Sequence, residues 1–439
     1  MTIQNRISPT IWEQATPLHL FDSASLEEDG QNVSKCFQDT LPQAKLFYSV
    51  KTNSLSSILR TLKKQNYGFE AITPGDLEIL KKFKVPGDKI IFNGHARTKE
   101  NFAQAIYEQN IKYIFIDSLS QISILESLVK DHGLPTASKF GLRINHGYGH
   151  FGLAPNSEEI REALKSLEKI GLPLYGLHFH NNLSGGEQII SKITGKAVHS
   201  LRSVLEQKDF IEGISKNKIQ CLNLGGGLPS PHEFRVADTD LPAFWSEGKI
   251  PNSASTPRPS SKDVIQDLGK NLAQLLKEKN AENLEILFEP GRIIVARAMH
   301  TLLSIHAVKR NLPPNNCIWI TDGNTLMLTS MKMGIYPLHL LKDPSKAKSK
   351  STGTNGNVKG PTEKVSIYGN LPYEADLLLP NQNLPIAEAG DRLLVENTGA
   401  YFLPFEMNFG YPRPGIFEID SGDCIREREK IENLSARDL

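Results

Sequence analysis

The chain has only four cysteines in 439 residues, Cys36, Cys221, Cys317 and Cys424, and they lie far apart. No CxxC pair occurs, which excludes the common zinc and dithiol motifs and suits a reducing compartment. An excess of either charge is missing as well. Fifty basic residues against forty-nine acidic ones leave a net charge of +1, which implies no nucleic-acid or other polyanionic partner. No run of about eighteen apolar residues occurs, and the opening MTIQNRISPTIWEQATPLHLF holds no apolar stretch of signal-peptide length. The expectation is a soluble, cytoplasmic protein with no membrane partner.

What the chain does have is a rhythm. Short apolar runs recur at 46–50, 67–72, 89–93, 113–117, 139–145, 174–180, 221–227 and 284–290, with helix-like stretches between them. Thr73-Pro74-Gly75-Asp76 reads as a helix opener, with a capping hydroxyl, a proline in the first turn and an acid three residues on. Eight such units over about 250 residues predict a parallel (β/α)8 TIM barrel. An open doubly wound sheet is the alternative, but no GxGxxG follows the first strand.

Residues 229–261 break the rhythm. They are rich in Pro and Ser yet carry Phe234, Phe244 and Trp245. They read as an excursion over the barrel mouth, with a disordered insertion as the alternative. After Arg292 the pattern alternates apolar and polar residues between turns, which predicts an antiparallel β domain. The expected division is 1–34 joining the β domain, 35–292 as the barrel, 293–420 as the β domain and 421–439 as a solvated tail. Residues 342–360 read as a polar, mobile loop.

In such a barrel the chemistry gathers at the C-terminal ends of the strands. Those ends offer Lys51, Glu70, Asn93, Asp117, Arg143, His178, His180, Gly225-Gly226-Gly227 and Glu289 with Gly291 and Arg292. Burial favours the neutral amine at a strand-end lysine, and a neutral amine can form an imine with a carbonyl. The three glycines let backbone N–H groups approach phosphate oxygens, and Arg292 can add a bidentate charge. A carboxylate such as Glu289 could keep a pyridine nitrogen protonated. The bland reading of Glu289 is a buried acid paired with an arginine. His146, His150, His178 and His180 raise the question of a metal site, but no HExxH or carboxylate triad accompanies them. None is expected.

FYSVKTN, FNG with TKEN, GLHFH, LNLGGG, FEPGR and ENTGAYF, in this order, resemble the ornithine/diaminopimelate/arginine decarboxylase family, over roughly residues 15–420. The resemblance implies an alanine-racemase-like fold, a barrel followed by a β domain, with pyridoxal 5'-phosphate as cofactor. It makes Lys51 the Schiff-base lysine and His180 the residue stacked on the ring. Glu289 would pair with the pyridine nitrogen, with Glu70 beside the cofactor. Gly225, Gly226, Gly227, Gly291, Arg292 and Tyr401 would hold the phosphate, and Arg143 would touch substrate. It also implies a homodimer whose sites are completed by the partner's β domain.

The chain departs from the family in the stretch Gly369–Asp376. Pro372 stands where the family's proton-donating cysteine belongs, and Tyr373 where its acid belongs. Tyr373 and Glu374 are then the candidate substrate contacts, with Tyr373 as proton donor. The loop after Arg143 is short, and Asn181 to Ser184 replaces the usual valine-glycine-serine. The expected function is a carboxy-lyase acting on an amino acid or a conjugate, diaminopimelate- or ornithine-like or a siderophore precursor. A racemase and a catalytically inactive relative are the alternatives.

Overall fold

The computed structural model describes residues 2–147, 149–180, 189–216, 218–232, 234–251, 258–312, 316–342, 361–407 and 409–435. The stretch from Asn181 to Ser184 and nearly all of the polar loop 342–360 lie outside the described residues. The chain divides into two compact units, one of residues 29–230 with 259–293, the other of 1–28, 231–258 and 294–439.

The first unit is the predicted barrel. Its strands are β2 (Ala44–Ser49), β3 (Gly68–Ala71), β4 (Ile90–Phe92), β5 (Tyr113–Ile116), β6 (Lys139–Arg143), β7 (Leu174–His178), β8 (Cys221–Asn223) and β10 (Glu285–Phe288), numbered along the whole chain after β1 (Leu18–Phe21). All pair in parallel, and β10 closes the ring between β8 and β2. Helices connect them, as parallel pairing requires. The one after β3 begins with the expected capping box: Thr73 Oγ1 accepts from the Asp76 N–H (3.1 Å) while Asp76 Oδ2 accepts from the Thr73 N–H (2.9 Å).

Inward-facing side chains fill the barrel in layers. Phe47, Ile91, Tyr113, Phe115, Cys221 and Leu287 form an apolar plug. At the N-terminal end Glu285 accepts from Tyr113 Oη (2.8 Å) and Tyr175 Oη (3.2 Å) and pairs with Lys45. Above the plug, towards the C-terminal ends, the lining turns polar.

The second unit is a nine-stranded sheet, ordered β16-β15-β12-β11-β1-β18-β19, with β17 joining β11 to β14. The strands are β11 (Met299–Leu312), β12 (Asn316–Thr321), β14 (Leu338–Leu341), β15 (Thr362–Tyr368), β16 (Leu377–Pro385), β17 (Arg392–Val395), β18 (Gly415–Glu418) and β19 (Cys424–Arg426). It is mixed rather than antiparallel throughout, because β1 pairs in parallel with β18, and β12 with β15. A crossover separates each of these pairs along the chain, so no hairpin constrains their direction.

Two expectations about boundaries are corrected here. Residues 231–258 were placed within the barrel span but belong to the sheet unit. Their short strand β9 (Phe234–Arg235) pairs with β13 (Gly334–Ile335), Phe244 is buried in the sheet's core with Trp319, Leu303 and Phe402, and Trp245 Nε1 donates to Lys332 O (3.1 Å). Apolar burial decides the matter: a large aromatic gains more by joining that core than by lying in solvent. The tail is likewise not wholly solvated, since β19 pairs with β18. At the other terminus Arg6 forks between Asp22 (2.9 Å) and Asp420 (3.0 Å), tying the lead-in to the sheet unit.

Phe244→Ala should cost this unit about 3–5 kcal/mol, the usual price of an aromatic-to-alanine cavity. Hydrogen exchange should then quicken across β15 and β16. Exchange no faster than in the wild type would mean that 231–258 does not pack there.

Candidate active site

The C-terminal layer of the barrel is a ring of polar side chains, one at the end of each strand: Ser49, Glu70, Asn93, Asp117, Arg143, His178, Asn223 and Glu289. All but Arg143 are buried, and Arg143 is half-buried. Side chains in a strand alternate faces, so the inward series continues past the apolar plug to these positions.

Glu289 is the centre of the ring and only 2% exposed. Its Oε1 accepts from Asn93 Nδ2 and from Asn223 Nδ2, each at 2.7 Å. Among the described residues its Oε2 has no hydrogen-bond partner, and His178 Nε2 stands 3.7 Å away, beyond bonding distance. Burial pushes the Glu289 carboxyl up to about 8, and the nearby Glu70 carboxylate adds to the effect. Among the described residues His178 also lacks a hydrogen-bond partner at either ring nitrogen, and it packs on Phe115 at 5.3 Å between ring centroids. Burial, with Lys51 and Arg143 close by, lowers His178 well below its ordinary value and His180 to about 3, so both rings are neutral.

Lys51 follows β2, the neighbour of β10, and its Nζ lies 3.4 Å from Glu70 Oε1; Glu70 also accepts from Ser49 Oγ. Gly226 and Gly291 are dictated by close approach. A Cβ on Gly226 would lie 2.4 Å from Glu289 O, and one on Gly291 would lie 2.2 Å from Thr52 Oγ1. One expected phosphate donor is already committed, for the Gly225 N–H donates to Asn223 Oδ1 (2.9 Å). Gly227 and Arg292 are half-buried beside it, Arg292 opening the short helix after Pro290-Gly291. Arg143 ends β6, 3.8 Å from Asp117 Oδ1, with its guanidinium 4.5 Å over the Phe151 ring. His178, His180 and Glu289 bring ligand-type atoms within 4.8 Å of one another, a cluster of the kind that can hold a metal.

In the sheet unit Tyr401 adopts a left-handed backbone (φ 68°) and stacks on Phe405 at 5.8 Å. Tyr373 is 63% exposed and Glu374 is exposed, whereas Asp376 is buried and caps the backbone N–H groups of Thr325 (2.7 Å) and Leu371 (2.8 Å). Sequence reasoning passed over Asn223 and Ser49. Both carry a signal in retrospect, since each sits on the inward face at the end of its strand.

An unpartnered buried carboxylate oxygen calls for a cationic donor. A protonated pyridine nitrogen is such a donor, and a flat neutral imidazole and a strand-end amine stand nearby. The donor set therefore fits pyridoxal phosphate. Residues 26–296 match the family model for the pyridoxal-dependent decarboxylase, pyridoxal binding domain. The chain belongs to this family. Pyridoxal phosphate is its cofactor, and it is a carboxy-lyase of the alanine-racemase-like fold. The chain is 27% identical to a diaminopimelate decarboxylase of Methanocaldococcus jannaschii over 97% of this chain and 91% of that one. It is 26% identical to one of Campylobacter jejuni, over 96% and 95%. A solved M. jannaschii diaminopimelate decarboxylase in complex with L-lysine superposes with a TM-score of 0.76 at 26% identity, covering 97% of this chain and 93% of that one.

The raised Glu289 carboxyl predicts a pH effect on the cofactor-free protein. Between the ordinary carboxylate range and about pH 8 the folded state keeps a proton that the unfolded chain has released, so stability falls as pH rises. Cofactor-free Glu289→Gln lacks this penalty. It should gain at least about 1 kcal/mol over the cofactor-free wild type near pH 8, and the gap should close towards pH 5. Parallel stability-versus-pH curves for the two proteins would show that Glu289 carries no such burden.

Proposed function

We propose that the chain removes the α-carboxyl group of a diamino acid or of a conjugate of one, such as a siderophore precursor, and does so as a homodimer. The observation that carries this reading is the buried Glu289, with one oxygen fixed by two amides and the other unpartnered, beside the Lys51 strand end. When bound, pyridoxal phosphate supplies the electron sink for the pair left by departing carbon dioxide. Lys51 holds the cofactor covalently, with Glu70 next to its amine. Glu289 keeps the ring nitrogen protonated, and the neutral His180 lies against the ring. Gly226, Gly227, Gly291 and Arg292 would bind the phosphate, with Gly225 shaping their turn, and Arg143 would orient the substrate. The names of the relatives support a diamino acid. A racemase would be better served by a cation opposite the ring nitrogen, so a carboxylate there favours decarboxylation.

The proton that replaces the lost carboxyl comes from Tyr373, whose phenol carries an O–H donor. Its exposure, with that of Phe405, Met407, Phe409 and Tyr411 on the same unit, supports delivery to a second copy's site in the dimer.

The purified protein should be yellow, and borohydride should fix the colour onto Lys51. Carbon dioxide release should be screened over meso-diaminopimelate, L-lysine, L-ornithine and citryl conjugates, and Lys51→Ala should lose both colour and release. A colourless protein that takes up no added pyridoxal phosphate would sink this reading. Tyr373→Phe should still release carbon dioxide but about a hundredfold more slowly, and its product should take up solvent deuterium with poorer stereochemical control. An unchanged rate and stereochemistry would leave Glu374 or water as the donor.

A further inference from the structure

We infer that His95, His150 and Phe151, backed by Arg143, form a subsite for a carboxylate carried at the far end of the substrate. This deepens the proposed function and rests on it. His95 follows β4, while His150 and Phe151 follow β6, so all three stand at the barrel end that carries Lys51 and Glu289. The rings form one cluster. His95 lies 5.4 Å from His150 and 5.0 Å from Phe151, and His150 lies 4.1 Å from Phe151. The Arg143 guanidinium covers the Phe151 ring at 4.5 Å. Both histidines are exposed and Phe151 is half-buried, so the cluster adds little to the core.

The loops beneath it are nevertheless firmly held. Arg97 is buried and donates to Phe92 O (3.0 Å), Phe115 O (2.5 Å) and Gln121 Oε1 (2.6 Å), while Gln121 Nε2 donates to His95 O (2.7 Å). On the other loop the Gly152 N–H donates to Asp117 Oδ1 (3.1 Å), and Asn145 accepts from the Gly147 N–H (2.8 Å) and donates to Gly149 O (3.1 Å). Exposed rings on anchored loops are the arrangement of a pre-organised binding surface, because the ordering cost is met before the ligand arrives.

The chemistry of the shelf selects an anion. Each imidazole presents an N–H donor whatever its protonation state, and Arg143 adds a fixed positive charge. The acid at hand, Asp117, already accepts from the Gly152 N–H and faces Arg143 at 3.8 Å, and Glu70 and Glu289 are buried in the ring below. A planar carboxylate can lie along these rings and accept from them. The terminal ammonium of ornithine or lysine finds at most the acceptor nitrogen of a neutral imidazole, and beside the Arg143 guanidinium it meets a like charge. The substrate class is therefore an amino acid whose distal end carries a carboxylate, either a second amino-acid head or a polycarboxylate acyl group, and not a simple diamino monocarboxylic acid.

Two probes that cannot be decarboxylated test this on the holoprotein: glutarate, and cadaverine of the same length without carboxylates. With histidine-selective isotope labelling, glutarate should shift the His95 and His150 resonances, and Phe151→Ala and His95→Ala should weaken its binding about tenfold. Cadaverine should leave those resonances in place. In turnover, the same variants should lower the preference in kcat/KM for meso-diaminopimelate over L-lysine by about tenfold. Cadaverine binding as well as glutarate, or variants that hold glutarate like the wild type, would overturn the subsite. Failure of the proposed function looks different: glutarate would still shift the histidines while no amino acid released carbon dioxide.

Discussion

The site depends on one costly placement, a carboxyl group at the centre of a closed barrel. Burying a carboxylate is unfavourable unless its charge is paired and its lone pairs are satisfied. Glu289 meets only half of that requirement: two asparagine amides satisfy Oε1, and Oε2 is left open. The rise in its proton affinity is the same deficit expressed as a pKa. A cationic ring nitrogen would supply that partner, so the binding free energy of such a group includes relief of the penalty of burying Glu289. Removing the penalty by mutation would also remove the reason to prefer a protonated ring.

The barrel makes this placement affordable in structural terms. Its middle layer is a packed plug of Phe47, Tyr113, Phe115 and their neighbours, so the ring rests on apolar side chains. Each strand then contributes one polar end, and the register of the pairing decides which side chains meet. Glu289 meets Asn223 because β10 pairs with β8, and Lys51 stands near Glu70 because β2 pairs with β3. Gly226 and Gly291 allow the strand ends to approach where any side chain would collide with Glu289 O or Thr52 Oγ1. The site is thus a consequence of register and closure, which is why its members are scattered over most of the barrel's sequence.

Much of the barrel was legible because its signals are local. The alternation of runs and helices announces parallel strands, and Thr73 with Asp76 announces a helix start that the hydrogen bonds bear out. The mixed sheet was legible only in part. Turn residues mark its strands, but nothing local tells β1 to lie parallel to β18 or β12 to β15. Residues 231–258 misled for the same reason. Their partner strand at Gly334–Ile335 is distant in the chain, and the burial of Phe244 depends on a core assembled from residues 303 to 402. In the site, Lys51 and Glu289 stand out as charges ending apolar runs, whereas Asn223 is hidden in LNLGGG, where the glycines draw attention. Only the inward face and the β8–β10 register reveal that its amide fixes Glu289 and its carbonyl oxygen fixes Gly225.

Pro372 and Tyr373 lie on an exposed stretch of the sheet unit, and the loop after Arg143 lies beyond the strand ends. Most members of the ring, by contrast, are buried, and Glu289 is bonded to both Asn93 and Asn223, so a change in any of these three strands a partner of another. Loops carry no such coupling and can vary one at a time. The physical economy is that one buried carboxylate constrains the chemistry, while the exposed rings at the mouth are free to choose what undergoes it.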